Sequence, residues 1–435
     1  MPHVLAKISL QLLAKSNVDF LNIASRAQSN MWSNVPMGPP DVILGVAEAF
    51  RKDKSPKKVN LGVGAYRDDN NKPYVLPSVR QAEEIIFKKC LNHEYAPIVG
   101  DATYCDLIAK LGLGDNSLAI KEKRNVTIQS ISGTGALRVG FEFIAKHYGH
   151  AKEIWMPAPT WGNHPQICNT LGIVNKRYRY YDPRTLSFNL KGCCEDICSM
   201  PPGSIILLHA CAHNPTGVDP KPEEWQTLSE IIKEKRILPF FDMAYQGFAT
   251  GSVDNDAFAV RLFEKHGHQI ILAQSFAKNM GLYGERVGGL TIVCADTDTA
   301  AKVMSQMKIL IRTLYSNPSI NGSRIVTEIL SNPDLKAQWL ADVKEMADRI
   351  ILMRKKLREG IEKRGNKHKW NHITNQIGMF CYTGLKPEQV ERLTKEFHIY
   401  LTKDGRISVA GICSSNVDYV AECIHKVTAD AKPRA

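Results

Sequence analysis

Lys278 stands in "QSFAKNMGLYGERVGG" (274–289), just past the apolar run Ile270-Ile271-Leu272-Ala273 and ahead of Gly281, Gly284 and Arg286. Most lysines are solvated surface charges. A lysine at the end of a buried strand instead suits an amine whose pKa is lowered so that it can attack a carbonyl. Asp242 follows Pro239-Phe240-Phe241, a place where a carboxylate needs a partner if it is buried, and Tyr245 offers a phenol three positions on. Ser132-Gly133-Thr134-Gly135 opens a helical pattern. A glycine-rich turn at a helix start presents N–H groups to a phosphate, although a tight turn alone also calls for glycine. Asn214 before Pro215 suits a ligand hydrogen bond, a cis bond or a plain turn. Trp161 could be a flat platform for a ring, though core packing is the commoner fate, and a histidine such as His164 is more often structural.

One cofactor uses these parts together. Pyridoxal phosphate needs a lysine for its Schiff base, a carboxylate to keep its ring nitrogen protonated, donors for its ring oxygen, an aromatic face and a phosphate cup. Lys278, Asp242, Tyr245 with Asn214, Trp161, and Ser132-Gly133-Thr134 supply them in that order, with Ser275 and Arg286 completing the cup. A dinucleotide fingerprint would need glycine where Arg138 stands, and no GxxxxGK[ST] loop occurs. The cluster Cys193-Cys194-Cys198 lacks a CxxC pair and a matching partner set, so no metal site is expected.

These residues follow the ends of apolar runs, and the runs must form the frame. "NVTIQSISG" (125–133), "EIWMPAPTW" (153–161), "SIILLHACAHNPTG" (204–217), "ILPFFDMAY" (237–245), "HQIILAQSFAK" (268–278) and "GGLTIVCA" (288–295) are nearly continuous, as strands covered on both faces are. Helical patterns lie between them, which predicts an α/β domain with a mostly parallel sheet, its ligands bound beyond the strands' carboxyl ends. A long amphipathic helix over 334–364 bridges to a smaller α/β unit containing "IGMFCYTGL" and "GRISVAGI". The expected organisation is a leader over 1–28, an arm and first part of a small domain over 29–74, a large domain over 75–344, and the rest of the small domain over 345–435.

The 435 residues, 44% hydrophobic and 23% charged, describe a globular chain, and no apolar run reaches the roughly 18 residues of a membrane span. The net charge of +12 is scattered and carries no zinc-finger, RNP-type or basic-zipper pattern, which favours anionic small substrates over nucleic acid. Eleven cysteines without a disulfide framework imply a reducing interior. The amphipathic, acid-poor start, with Leu5, Ile8 and Leu12 at helical spacing and Arg26 ahead of Gln28, reads as a mitochondrial transit peptide or as an ordinary first helix.

"SGTGALR", "PTWGNH", "HACAHNPTG", "FFDMAYQGF", "QSFAKNMGLYGERVG", "YSNP" and "TKDGRISVAG" resemble the motifs of the aspartate aminotransferase family, its mitochondrial members above all, from about Trp32 to the last helix. The resemblance implies the fold-type I pyridoxal-phosphate architecture, a large sheet of the seven-stranded type, a homodimer with sites at the interface, and a mitochondrial-matrix location. It implies reversible amino transfer from L-aspartate to 2-oxoglutarate, giving oxaloacetate and L-glutamate, with side activity on kynurenine and aromatic amino acids as the second reading. Lys278 would carry the cofactor and shuttle the proton, helped by Asp242 and Tyr245. His164 would lie behind Asp242, while Trp161 and Asn214 would also touch substrate. Arg406 would grip the substrate α-carboxylate and Gly64 would contact it by backbone. Arg312, for the distal carboxylate, and Tyr95, for the phosphate, would come from the neighbouring subunit. The chain departs from the family at Thr313 and Ser319, where proline is usual, which predicts a looser loop behind Arg312.

Overall fold

The computed structural model describes residues 31–38, 42–62, 64–150 and 153–429, so the expected leader over 1–28 lies outside the described residues. Residues 1–45 form a unit of their own, and residues 46–435 form the other. In the first, Val35 N–H donates to Trp32 O (3.0 Å) to close a turn, and residues 31–38 are exposed.

The second unit is built on a seven-stranded sheet in the spatial order Asn125–Ile131, Val287–Val293, Ile271–Ser275, Leu238–Met243, Ile205–His209, Glu153–Ala158, Val174–Arg179. All six apolar runs read from the sequence are strands of this sheet. The seventh, Val174–Arg179, is a polar edge strand of mostly exposed residues. Val287–Val293 runs antiparallel to both its neighbours, and the remaining pairings along the sheet are parallel. Its reversal follows from the short return after Ser275: residues 276–286 are too few for a helical crossover. That return is the loop bearing Lys278.

Two adjacent residues show how the sheet is covered. Phe240 packs edge-on against Phe141 of the helix Ser132–His147 (ring centres 5.1 Å apart). Phe241, on the opposite face by the strand's two-residue period, packs against Phe263 of the helix Phe258–Lys265 (5.0 Å). Both are fully buried. The parallel strands therefore end at one sheet edge with helices on both faces, and the residues after those ends are brought together.

The predicted long helix runs Pro333–Glu362; the Asn332 side chain accepts from Asp334 N–H (3.0 Å) and Leu335 N–H (3.3 Å), and Pro333 begins it. Beyond it, Phe380–Tyr382 pairs antiparallel with Arg406–Ser408, register Tyr382 to Arg406. Val59–Asn60 pairs with Ile399–Tyr400, so this early segment joins the C-terminal region. No helix among the described residues is long and apolar enough to cross a membrane.

Candidate active site

Asp242, one residue before the end of the strand Leu238–Met243, is in register with His209 on one side and Ala273 on the other. Its Oδ2 accepts from His164 Nε2 at 3.0 Å, and the His164 side chain is wholly buried. The network behind this bond has a determined sense. Asn214 N–H donates to His209 Nδ1 (3.2 Å), so a neutral His209 carries its proton on Nε2 and donates to Thr160 Oγ1 (3.2 Å). Thr160 then gives its single hydroxyl hydrogen to His164 Nδ1 (2.8 Å), and His164 donates from Nε2. Burial, with the neighbouring His164, holds His209 down at about 3, which keeps the ring neutral in this role. For Asp242, burial pushes the carboxyl up, but the hydrogen bond from His164, with the nearby Lys278, outweighs it, so it stays below its ordinary value as an anion.

Lys278 Nζ lies 5.3 Å from the centre of the buried Tyr245 ring. Burial lowers the amine's pKa, Arg286 adds to the effect and Asp242 opposes it. No carboxylate among the described residues is within 4.0 Å of the amine. The Tyr245 phenol is pushed up by burial and by Asp242. Just after the lysine the loop is fixed twice at Asn279: Trp339 Nε1 donates to Asn279 O (2.8 Å), and Asn279 Nδ2 donates to Gln246 O (3.1 Å).

The helix Ser132–His147 starts directly from its strand, with Ser132 at φ +59° and no side chain capping its first amides. Ser132 and Gly133 are buried, and Ser132 Oγ lies 3.1 Å from Ser275 Oγ. Gly288 is what permits this closeness: a Cβ there would stand 2.5 Å from Gln274 O and 2.7 Å from the carbonyl carbon of Ser132. Val287 pairs with Ile131, so Arg286 stands beside Ser132 just beyond the ladder. An uncapped, buried helix start flanked by two hydroxyls and an arginine suits an anion, and a phosphate fits it.

Asn214, 8% exposed and followed by a cis bond to Pro215, reaches the next element, its Oδ1 accepting from Arg406 Nη1 at 3.4 Å. Arg406 is buried, its guanidinium 4.4 Å from the centre of the Phe380 ring, and no carboxylate among the described residues is within 4.0 Å of it. A buried cation without a counter-anion is costly, and an arginine fork so placed suits a ligand carboxylate. Trp161, half-buried, meets His164 edge-on at 5.3 Å. Gly64 is exposed with open space where a Cβ would be.

Tyr95 and Arg312 lie apart from this cluster but near each other. Tyr95 is 83% exposed. Arg312 Nη1 donates to Ser316 Oγ (2.5 Å), Ser316 Oγ to Asn317 Oδ1 (2.7 Å), and Asn317 Nδ2 to Ala96 O (2.7 Å), the residue next to Tyr95. The loop behind Arg312 is tied even though Thr313 and Ser319 lack a proline's fixed φ. Thr313 stays inside the helix Thr297–Leu314, donating to Leu310 O (3.0 Å), and Ser319 O accepts from Gln129 Nε2 (2.6 Å).

Sequence reading missed Thr160 and His209. Each lies within or next to a quoted motif, but their role depends on sheet order, which puts His209 beside Asp242.

Residues 56–424 match the family described as Aminotransferase class I and II, and the chain belongs to that family. It is similar to the mitochondrial aspartate aminotransferases of Gallus gallus (56% identity over 93% of this chain and 96% of the relative) and Xenopus tropicalis (58%, over 92% and 94%). Among solved structures it resembles an aromatic-amino-acid aminotransferase from Burkholderia pseudomallei covalently bound to pyridoxal phosphate, with 42% identity and a TM-score of 0.89 over 92% of this chain and 99% of that one.

Proposed function

We infer that the protein catalyses reversible transfer of the amino group of L-aspartate to 2-oxoglutarate, giving oxaloacetate and L-glutamate. The observation that carries this reading is the buried Arg406, without a carboxylate partner, whose charge reaches the same Tyr245 over whose ring the desolvated Lys278 lies. The relatives' 55–58% identity over more than nine-tenths of the chain supports the same reaction. Their mitochondrial designation supports a mitochondrial-matrix location.

Pyridoxal phosphate fits the residues present. Its phosphate would lie on the amides of Ser132, Gly133 and Thr134 with Ser275 and Arg286, its ring nitrogen on Asp242, its ring oxygen on Tyr245 and Asn214, and its face on Trp161. When bound it supplies an electron sink for the bond broken at the substrate's Cα. The chain's own residues do the rest. Asp242, kept anionic by His164, holds a proton on the partner nitrogen. Lys278, its amine neutralised more readily by burial, would take the proton from substrate Cα and deliver it to the cofactor carbon bonded to the amino nitrogen, the reverse half-reaction running the same transfer backwards. Arg406 orients the α-carboxylate with a fork that a lysine could not reproduce. Arg312 and Tyr95 complete the site of a second copy, and their shared exposed patch is consistent with that. The domain division is read as 75–344 for the large domain, with 29–74 and 345–435 forming the small one, supported by the pairing of Val59–Asn60 with Ile399–Tyr400.

A second reading, turnover of kynurenine and aromatic donors, is favoured by the structural likeness to aromatic aminotransferases. Purified protein supplied with the cofactor should convert L-aspartate and 2-oxoglutarate with kcat/KM well above that for phenylalanine. A preference for the aromatic donor would reverse the ranking.

A further inference from the structure

The two segments assigned to substrate are stitched to each other. Ser408 N–H donates to Leu61 O (2.7 Å), Ser414 N–H donates to Asp69 Oδ1 (2.9 Å), and Arg349 of the long helix spans both. Its Nε donates to Tyr66 Oη (2.7 Å), its Nη1 to Ile412 O (3.0 Å), and its Nη2 to Arg67 O and Ala410 O (3.4 Å). Gly64 and Arg406 therefore belong to one stiff assembly. Lys278 and Arg286 belong to a different one, the 276–286 loop. Among the described residues one hydrogen bond joins residues 61–69 and 406–414 directly to that loop: Tyr66 N–H donates to Tyr283 Oη at 2.8 Å, while the long helix reaches the loop separately through Trp339 Nε1 and Asn279 O. The Tyr283 carbonyl meanwhile accepts from Arg286 Nη1 (3.1 Å).

We propose that the Tyr283 phenol is a positioning group that sets the substrate-carboxylate subsite against the cofactor loop, with Arg349 as its far anchor. This rests on the dicarboxylate reading above. The reacting amine must reach Lys278 while its carboxylate sits on Arg406, so the spacing of the two assemblies fixes the fit, and misplacement of about an ångström is costly. Burial raises the phenol to about 12 and the amide of Tyr66 opposes that, so the hydroxyl keeps its proton at neutral pH and acts as acceptor.

The test is Tyr283→Phe, with Tyr178→Phe as a control that loses a buried hydroxyl bonded to Leu207 O (2.9 Å), away from this contact. Succinate, an unreactive dicarboxylate, is titrated calorimetrically into each holoenzyme, and inorganic phosphate into each apoprotein. Tyr283→Phe should weaken succinate about three- to tenfold and leave phosphate within about twofold, while Tyr178→Phe changes neither. Arg349→Lys, which keeps the charge and loses the fork, should move succinate the same way. Unchanged succinate affinity in Tyr283→Phe, or phosphate weakened in step with it, overturns the proposal. If wild-type holoenzyme fails to bind succinate, the dicarboxylate reading falls first.

Discussion

Oδ2 of Asp242 is committed to His164 Nε2 at 3.0 Å, and its Oδ1 makes no hydrogen bond among the described residues. The carboxylate is thus fixed by one oxygen and left open at the other, as a group that must salt-bridge a ligand nitrogen requires. The histidine that fixes it is in turn oriented from the Asn214 amide, through His209 and Thr160.

Thr160→Val keeps the side chain's size and removes the hydroxyl at the centre of that network. Two buried imidazole nitrogens lose their partner, so urea denaturation should show a loss of about 2–4 kcal/mol. Pyridoxal-phosphate affinity should fall about tenfold, and Thr160→Ser should recover most of both. A Val variant as stable as wild type would remove Thr160 from the account.

His209 gives a pH signature. Its pKa falls from 6.5 free to about 3 in the fold, so between those values the unfolded chain binds a proton that the native one refuses. Wild-type stability therefore drops as pH falls below 6.5, by about 1.4 kcal/mol per pH unit from this residue. His209→Gln lacks that dependence. Its stability deficit at pH 7 should narrow by about 2 kcal/mol at pH 5, as read from denaturant midpoints at the two pH values. A deficit constant with pH would mean that His209 takes up its proton as readily in the native state as in the unfolded one.

The two arginines should separate by substrate. Arg406→Lys keeps the charge but loses the bidentate fork, and kcat/KM should fall for every amino donor, by about 10²-fold. Arg312→Ala should cut kcat/KM for aspartate similarly and spare phenylalanine. Equal losses for both donors in the second variant would sink the assignment of Arg312 to the distal carboxylate.

Placing Arg312 in the partner's site predicts complementation. Lys278→Ala and Arg312→Ala, each nearly inactive alone on aspartate, should form hybrid dimers with one intact site. Unfolding and refolding an equal mixture should restore about a quarter of wild-type activity, since half of the dimers are hybrids with one good site of two. No gain over the separate variants would place Arg312 within its own subunit's site, or outside any.

Most of the frame was legible because the buried strands carry unbroken apolar runs: Ile205–His209 and Ile271–Ser275 are buried along their whole length. Val174–Arg179 was not, because "VNKRYR" lies at an edge and only Tyr178 is buried, leaving no hydrophobic pattern to read. The site followed the same rule. Asp242 stands at the carboxyl end of a strand run and Lys278 and Asn214 just beyond theirs, and they were found there. Thr160, His209 and Tyr283 act through partners 49, 5 and 217 positions away in sequence, and only the folded sheet and loops bring those together. The tied loop at Thr313 and Ser319 was likewise hidden, since Gln129 of the edge strand Asn125–Ile131 holds Ser319 from 190 positions away.

The most direct measurement is the visible absorption spectrum of the protein reconstituted with pyridoxal phosphate, before and after L-aspartate is added without any keto acid. The band of lysine-bound cofactor should form, be missing in Lys278→Ala, and convert to that of pyridoxamine phosphate when aspartate is added. A band that forms but ignores aspartate would contradict the proposed function, and failure of the wild-type protein to form any band would contradict the role of Lys278 itself.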